Sequence, residues 1–200
     1  MNDHLLDVIE PTGDAIETVR LGTRRSVLAR TQSVHVARRL AEELGWRVEI
    51  TEIVTEGDVN MTPLAQMGGT GVFVSAVRTA LETGAADIAV HSLKDLPTAQ
   101  PDHILLAAIP EREDPRDVLI SVGHSTLAEL APGSSVGTGS PRRAAQLRGL
   151  RPDLDIVGLR GNIDTRLGRV AEGDLSAIVL AGAGLRRVGR EAEASEWFDD

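Results

Sequence analysis

Two segments bring together residues whose types and spacing could do chemistry. Val136-Gly137-Thr138-Gly139-Ser140-Pro141-Arg142-Arg143 and Leu159-Arg160-Gly161-Asn162-Ile163-Asp164-Thr165-Arg166 each run from an apolar strand pattern, through a small polar turn, into the first turn of a helix. Arginines stand at both junctions. Backbone N–H groups unpaired at a helix start, combined with guanidinium forks, make an anion site. Thr23-Arg24-Arg25-Ser26 and His91-Ser92-Leu93-Lys94-Asp95 repeat the strand-to-helix geometry. Ligands of open α/β sheets bind outside the carboxyl ends of the strands. The spacing therefore predicts a cleft lined by Arg24, Lys94, Arg142, Arg143, Arg160 and Arg166, two junctions coming from each of two lobes, for a small ligand rich in carboxylate or phosphate.

Each residue also has a purely structural reading. Ser140-Pro141 is a good helix cap with proline at the first position, and Arg142 and Arg143 could simply be solvated. Asn162 could be only a cap, and Asp164 with Arg166 only a local pair. Arg160 ends a buried-type strand, where an unpaired charge is costly, so for it the functional reading leads. Asp95, two residues before Pro97, reads first as a turn former. Beside Lys94 and facing arginines its charged form is favoured, which suits it to stabilising a cation rather than donating a proton. His91 reads as a core or supporting histidine and receives no catalytic role. Gln66-Met67-Gly68-Gly69-Thr70-Gly71 lacks the ending of a phosphate loop and reads as a mobile flap. The histidines are scattered, so no metal site is expected.

Composition narrows the partners. Lys and Arg number 21 against 30 Asp and Glu, a formal charge of −9, which opposes nonspecific binding to nucleic acid or an anionic membrane. Aromatics are 2% with no Tyr, leaving little on which bases could stack. No apolar run is long enough to span a bilayer and the first residues do not form a secretion signal, so a cytoplasmic protein is expected. The chain has no Cys, which excludes a disulfide, a thiolate metal site or a thioether anchor within it.

The elements that must position these residues alternate as in an α/β sheet. Residues 1–18 are polar and read as a flexible leader. In domain 1, over 19–110, strands are expected at 19–23, 47–54, 87–91 and 104–109. Its helices are expected at 26–44, with Val27, Val34, Ala37, Ala41 and Leu44 inward, and at 72–82, with Phe73, Ala76, Val77, Ala80 and Leu81 inward. Residues 111–116, bounded by prolines, read as a hinge. Domain 2, over 117–200, is expected to hold strands at 117–121, 134–138, 155–159 and 176–181. Its helices are expected at 140–150, 162–172 and 184–189, with a short further helix boxed by Thr126 and Glu129.

Six ordered motifs carry a resemblance: Leu21-Gly22-Thr23-Arg24-Arg25-Ser26, Val90 to Thr98, Glu113-Asp114-Pro115-Arg116-Asp117, Gly137 to Arg143, Leu159 to Leu167, and Ala183-Gly184-Leu185. Together they resemble the porphobilinogen deaminases, also called hydroxymethylbilane synthases. The resemblance implies two lobes of the type II periplasmic-binding-protein fold with an interlobe cleft, followed in the family by a third domain that is absent here, together with the strand returning to domain 1. It implies a transferase of haem and tetrapyrrole biosynthesis that joins four porphobilinogen molecules, with loss of ammonia, into linear hydroxymethylbilane. Porphobilinogen and the growing oligopyrrole are the implied partners, and the complete enzyme is expected to be a monomer. A covalent dipyrromethane cofactor is implied, although its cysteine anchor is absent from this chain. Asp95 resembles the catalytic carboxylate that contacts pyrrole N–H groups and stabilises the azafulvenium cation formed as ammonia leaves. Arg24, Ser26, Ser92, Lys94, Thr138, Ser140, Arg142, Arg143, Arg160 and Arg166 resemble the binding shell, with Gln32 and Arg187 at its margin. Gln66 and Thr70 stand where many relatives carry lysines in the flap. The chain thus reads as the first two domains of such an enzyme, in truncated form. The rival reading is a two-lobed protein that binds carboxylates without chemistry.

Overall fold

A computed structural model describes residues 5–54, 74–99 and 101–199, and the chain divides into two compact units, 1–109 and 110–200. In the first unit, β2 (Glu17–Arg24) runs parallel to β3 (Trp46–Ile53) in unbroken register from Glu17 opposite Trp46 to Arg24 opposite Ile53. The crossover between them is α1 (Val27–Leu44). Ser26 caps it by accepting from the Ala29 N–H, and Gly45, at φ 67°, ends it. Its inward face is Ser33, Ala37 and Ala41, whereas Val27, expected inward, is 56% exposed. The face is rotated because the sheet-facing residues follow an i, i+4 row of small side chains that lets the helix sit close over Val19, Leu21, Val48 and Ile50.

The leader expected at 1–18 is corrected by the structure. Residues Leu5–Ile9 form β1, antiparallel to β3 with Val8 opposite Glu49, and β2 begins at Glu17. Helix α2 (Ser75–Glu82) buries Val77 and Ala80, and β4 (Ile88–Ala89) adds to the far side of β2. The sheet order is β1-β3-β2-β4. The run 104–109, expected to be a strand, is irregular and its Leu105 is 85% exposed. Apolar composition alone does not make a strand where no neighbour supplies the ladder. Gln66 to Gly71 and Phe73 lie outside the described residues.

The second unit is a five-stranded sheet ordered β7-β6-β8-β5-β9. Its strands are β5 (Asp117–Ser121), β6 (Ser135–Thr138), β7 (Asp155–Gly158), β8 (Ala177–Ala181) and β9 (Glu196–Trp197). Strands β6, β7 and β8 are parallel, while β5 is antiparallel to both β8 and β9. Successive side chains point to opposite faces, and the core divides accordingly. Val118, Ile120, Ile178 and Leu180 pack on one face with Leu167, Val170 and Leu185 from α4 (Ile163–Ala171) and α5 (Gly182–Arg187). Leu119, Val136, Ala177 and Val179 pack on the other with Leu147 of α3 (Pro141–Leu150). The short helix expected near Thr126 is a turn in which Glu129 accepts from both the N–H and the hydroxyl of Thr126. No helix among the described residues is long and apolar enough to cross a membrane.

Candidate functional site

In the first unit, the carboxyl ends of β2 and β4 carry the expected residues. Arg24 is the last residue of β2, half-buried, and Thr23 before it is buried, accepting a 2.7 Å bond from the Ser33 hydroxyl. Past β4, Leu93–Asp95 form one 3-10 turn whose start is Ser92. Ser92 donates to Gln32 Oε1 at 3.1 Å, tying this turn to α1 and bringing two candidate residues into contact. Lys94 is exposed and Asp95 half-buried.

His91, half-buried, senses the same group of charges. Burial chiefly holds its imidazole below the ordinary value of 6.5; Asp95 opposes this, while the Arg24 and Arg78 guanidiniums add to it. The ring is accordingly neutral at neutral pH. Arg24, His91 and Asp95 thus share one electrostatic neighbourhood, to which the sequence reading had not joined Arg78. Arg78 and His91 also line a small recess with Leu96 and Pro97.

In the second unit, β6 and β7 end side by side. The Leu159 N–H donates to Thr138 O at 3.1 Å, and Gly139 packs so closely that a Cβ on it would lie 2.6 Å from Leu159 O and 3.9 Å from Arg166 Nη2. Thr138 is buried and its hydroxyl accepts from the Ser140 N–H at 3.2 Å. Ser140 caps α3 through the Arg143 N–H, and Asn162 caps α4 through the N–H and hydroxyl of Thr165. Gly161 holds a left-handed φ of 104° that a side chain would strain, which turns the chain from β7 into α4.

The arginines separate into distinct roles. Arg166 is half-buried, and its Nε donates to Gly161 O at 2.8 Å. Burial, then the charges of Arg143 and Arg160, push its guanidinium below the usual arginine value, so Arg166 feels both of these cations. The local Asp164–Arg166 pair is not formed, since Asp164 binds Arg190 at 2.5 Å. Arg143 is not a solvated cation: it makes a bidentate bond to Asp117, at 2.6 and 2.7 Å. Arg142 has a side chain 66% exposed, donates to Gln146 at 3.0 Å and stands 3.6 Å from Asp117. Arg142 and Arg143 also line a cavity of about 480 Å³ with Leu127, Leu147, Leu150 and Phe198.

Arg187 is half-buried in the last turn of α5, and its charge, with that of Arg186, helps hold the Glu113 carboxyl below the usual range, behind a backbone N–H. Sequence reasoning missed a stack beside it. The Trp197 ring packs against both Arg116, at 5.1 Å, and Arg186, at 4.8 Å, and both guanidiniums bind Asp114. It missed the Arg143–Asp117 pair as well, although the charged run Glu113 to Asp117 stood out.

The family described as "Porphobilinogen deaminase, dipyromethane cofactor binding domain" matches residues 19–200. A porphobilinogen deaminase of Thermobifida fusca is 56% identical over 180 residues, 90% of this chain and 56% of that protein. One from Acidothermus cellulolyticus is 52% identical over 189 residues, 94% of this chain and 57% of that protein. The chain therefore spans little more than half the length of the curated relatives it matches. Among solved structures, an ancestral arginine-binding protein bound to arginine aligns at 15% identity with a TM-score of 0.45, over 90% of this chain and 77% of that one, a likeness too loose to bear on function.

Proposed function

Because the chain belongs to the porphobilinogen deaminase family, we propose that it forms the first two domains of a hydroxymethylbilane synthase, joining four porphobilinogen molecules with loss of ammonia. The observation that carries this reading is the grouping of Arg143, Arg160 and Arg166 at two adjacent strand ends of a chain with formal charge −9. Such a cluster suits a ligand with several carboxylates, and every pyrrole of the substrate and product carries an acetate and a propionate arm.

The same donor set fits the arms of the dipyrromethane cofactor, which, when bound, supplies the primer for chain growth. Arg160, Arg166 and Thr138 would hold its carboxylates, although no Cys of these 200 residues could anchor it. On the first unit the same reading assigns Arg24, Ser26, Gln32, Ser92 and Lys94 to ligand binding, and on the second unit it adds Arg187. Asp95 accepts pyrrole N–H groups and stabilises the cation formed as ammonia departs. Neutral His91 behind it adds no competing positive charge.

The exposed run 104–109 and the edge of β4, which has a partner on one side only among the described residues, read as the seat of a strand returning from the relatives' remaining length. The acidic surface and the soluble chemistry of the substrate favour a cytoplasmic monomer that binds neither nucleic acid nor membrane. Fusing the remaining length of the Thermobifida fusca relative after Asp200 should give a protein with a covalent pyrrole mass increment and turnover. Asp95→Asn in that fusion should still bind porphobilinogen but form no hydroxymethylbilane. Near-normal product would return Asp95 to a turn-forming role, and binding without any turnover in the parent fusion would favour the rival carboxylate-binding reading.

A further inference from the structure

The motif Glu113 to Asp117 ends on a carboxylate to which the proposed function gives no part. Asp117 opens β5, its side chain 18% exposed, against an Arg143 side chain 16% exposed. Arg143 presents Nε to Asp117 Oδ2 at 2.7 Å and Nη2 to Oδ1 at 2.6 Å. This side-on fork uses one edge of a rigid, planar group with five N–H donors, which sets the plane of the guanidinium and leaves its Nη1 end for another acceptor. Arg142 approaches the same carboxylate to 3.6 Å. A ligand that displaced Asp117 would leave its charge poorly solvated, so ligand binding keeps the pair intact.

We propose that Asp117 is the positioning residue of the arginine cluster, holding Arg143 by one edge so that its Nη1 end acts with Arg160 and Arg166 on a ligand carboxylate. The carboxylate also offsets repulsion among three neighbouring cations. This rests on the polycarboxylate reading above, and it makes a prediction opposite to that of charge alone. Removing Asp117 makes the site more positive, which should tighten anion binding if charge were all that mattered; if position matters, binding weakens.

The test titrates the chain calorimetrically with mellitate, a rigid benzene hexacarboxylate, at constant ionic strength. Asp117→Asn should bind about tenfold more weakly, the equivalent of one charge-assisted contact. Arg143→Ala should lose a similar factor, and the double variant should be no weaker than Arg143→Ala, because Asp117 acts through that arginine. Asp117→Glu keeps the charge and shifts the fork by one methylene; it should retain the fold and still weaken binding, which keeps the test decisive if the Asn variant unfolds. Wild-type or tighter binding by Asp117→Asn or Asp117→Glu, or additive losses in the double variant, would overturn the positioning role. Undiminished binding by Arg143→Ala, or none by the parent chain, would instead overturn the polycarboxylate reading on which it stands.

Discussion

Gly139→Ala tests how the two strand ends are held together. The added Cβ would sit 2.6 Å from Leu159 O, well inside the 3.0 Å that real Cβ atoms respect; the carbonyl is backbone and the backbone fixes the Cβ, so no rotamer change can relieve the contact. The β6–β7 junction must therefore widen by several tenths of an ångström, lengthening the 3.1 Å bond from Leu159 N to Thr138 O. Overpacking of this kind costs about 1–3 kcal/mol. For a unit of this size each kcal/mol lowers Tm by roughly 4–8 °C. The same opening carries Arg160 and Arg166 away from Ser140 and Arg143, and misplacement approaching ~1 Å can cost on the order of 100-fold in a positioned reaction. Gly149→Ala is the control: its Cβ meets nothing within 4 Å, it lies inside α3, and alanine there should be neutral or stabilising by about 0.5–1 kcal/mol. Calorimetric melting with mellitate titration reads both effects. If Gly139→Ala melts and binds like the wild type while Gly149→Ala does the same, the close approach of the two turns does not organise the site.

Arg142→Ala and Arg160→Ala should each lower polycarboxylate affinity by about 1.5–3 kcal/mol without moving Tm appreciably, and unchanged affinity in both would remove them from the site. Acid should release the stack at Trp197. The Arg116 guanidinium and N–H beside Asp114 hold its carboxyl at about 2, below the ordinary 3.8, so its contribution to stability is present above 3.8 and lost as pH falls through about 2. In a Trp46→Phe background, Asp114→Asn should show at neutral pH the altered Trp197 emission that the parent reaches only in that acid range, and superimposable pH curves would count against the coupling.

What could be read from the sequence was local. The strands β2, β3, β5, β6, β7 and β8 follow apolar patterns, and Ser26, Ser140-Pro141, Asn162 and Gly45 punctuate the helices through bonds within a few residues of themselves. The four junctions at strand ends followed from the same signals. What escaped depends on partners distant in the chain. Residues 5–9, Leu-Leu-Asp-Val-Ile, become a strand because β3 offers a ladder some forty positions on, and an apolar run this short inside an otherwise polar stretch gave no sustained period. The run 104–109 had the composition of a strand and lacks a ladder. Asp117 and Arg143 are 26 positions apart, and nothing near either announces the other. The alternative that Arg143 is simply solvated fails for that reason.

The pairing pattern explains why an acidic chain can keep a cationic site. Away from the junctions, arginines go to carboxylates: Arg20 to Asp87, Arg39 to Glu43, Arg151 to Asp153, Arg169 to Asp174, and Arg190 to Asp164 and Glu193. The first four pairs are locally neutral, and the Arg190 group carries one surplus negative charge. Asp114 takes Arg116 and Arg186 in the same way, beside Arg187. At the head of β7 the pattern changes: Arg166 gives its Nε to a backbone carbonyl, which orients the group without cancelling its charge. Arg143 is oriented by a carboxylate, but its charge still reaches Arg166 strongly enough to lower that group's proton affinity. Crowding cations in this way costs folding free energy, and a bound polyanion repays it only where the cations converge. The surplus of Asp and Glu elsewhere leaves the chain at −9 while these cations stay grouped, so under the proposed function charge alone would favour a small polycarboxylate over nucleic acid.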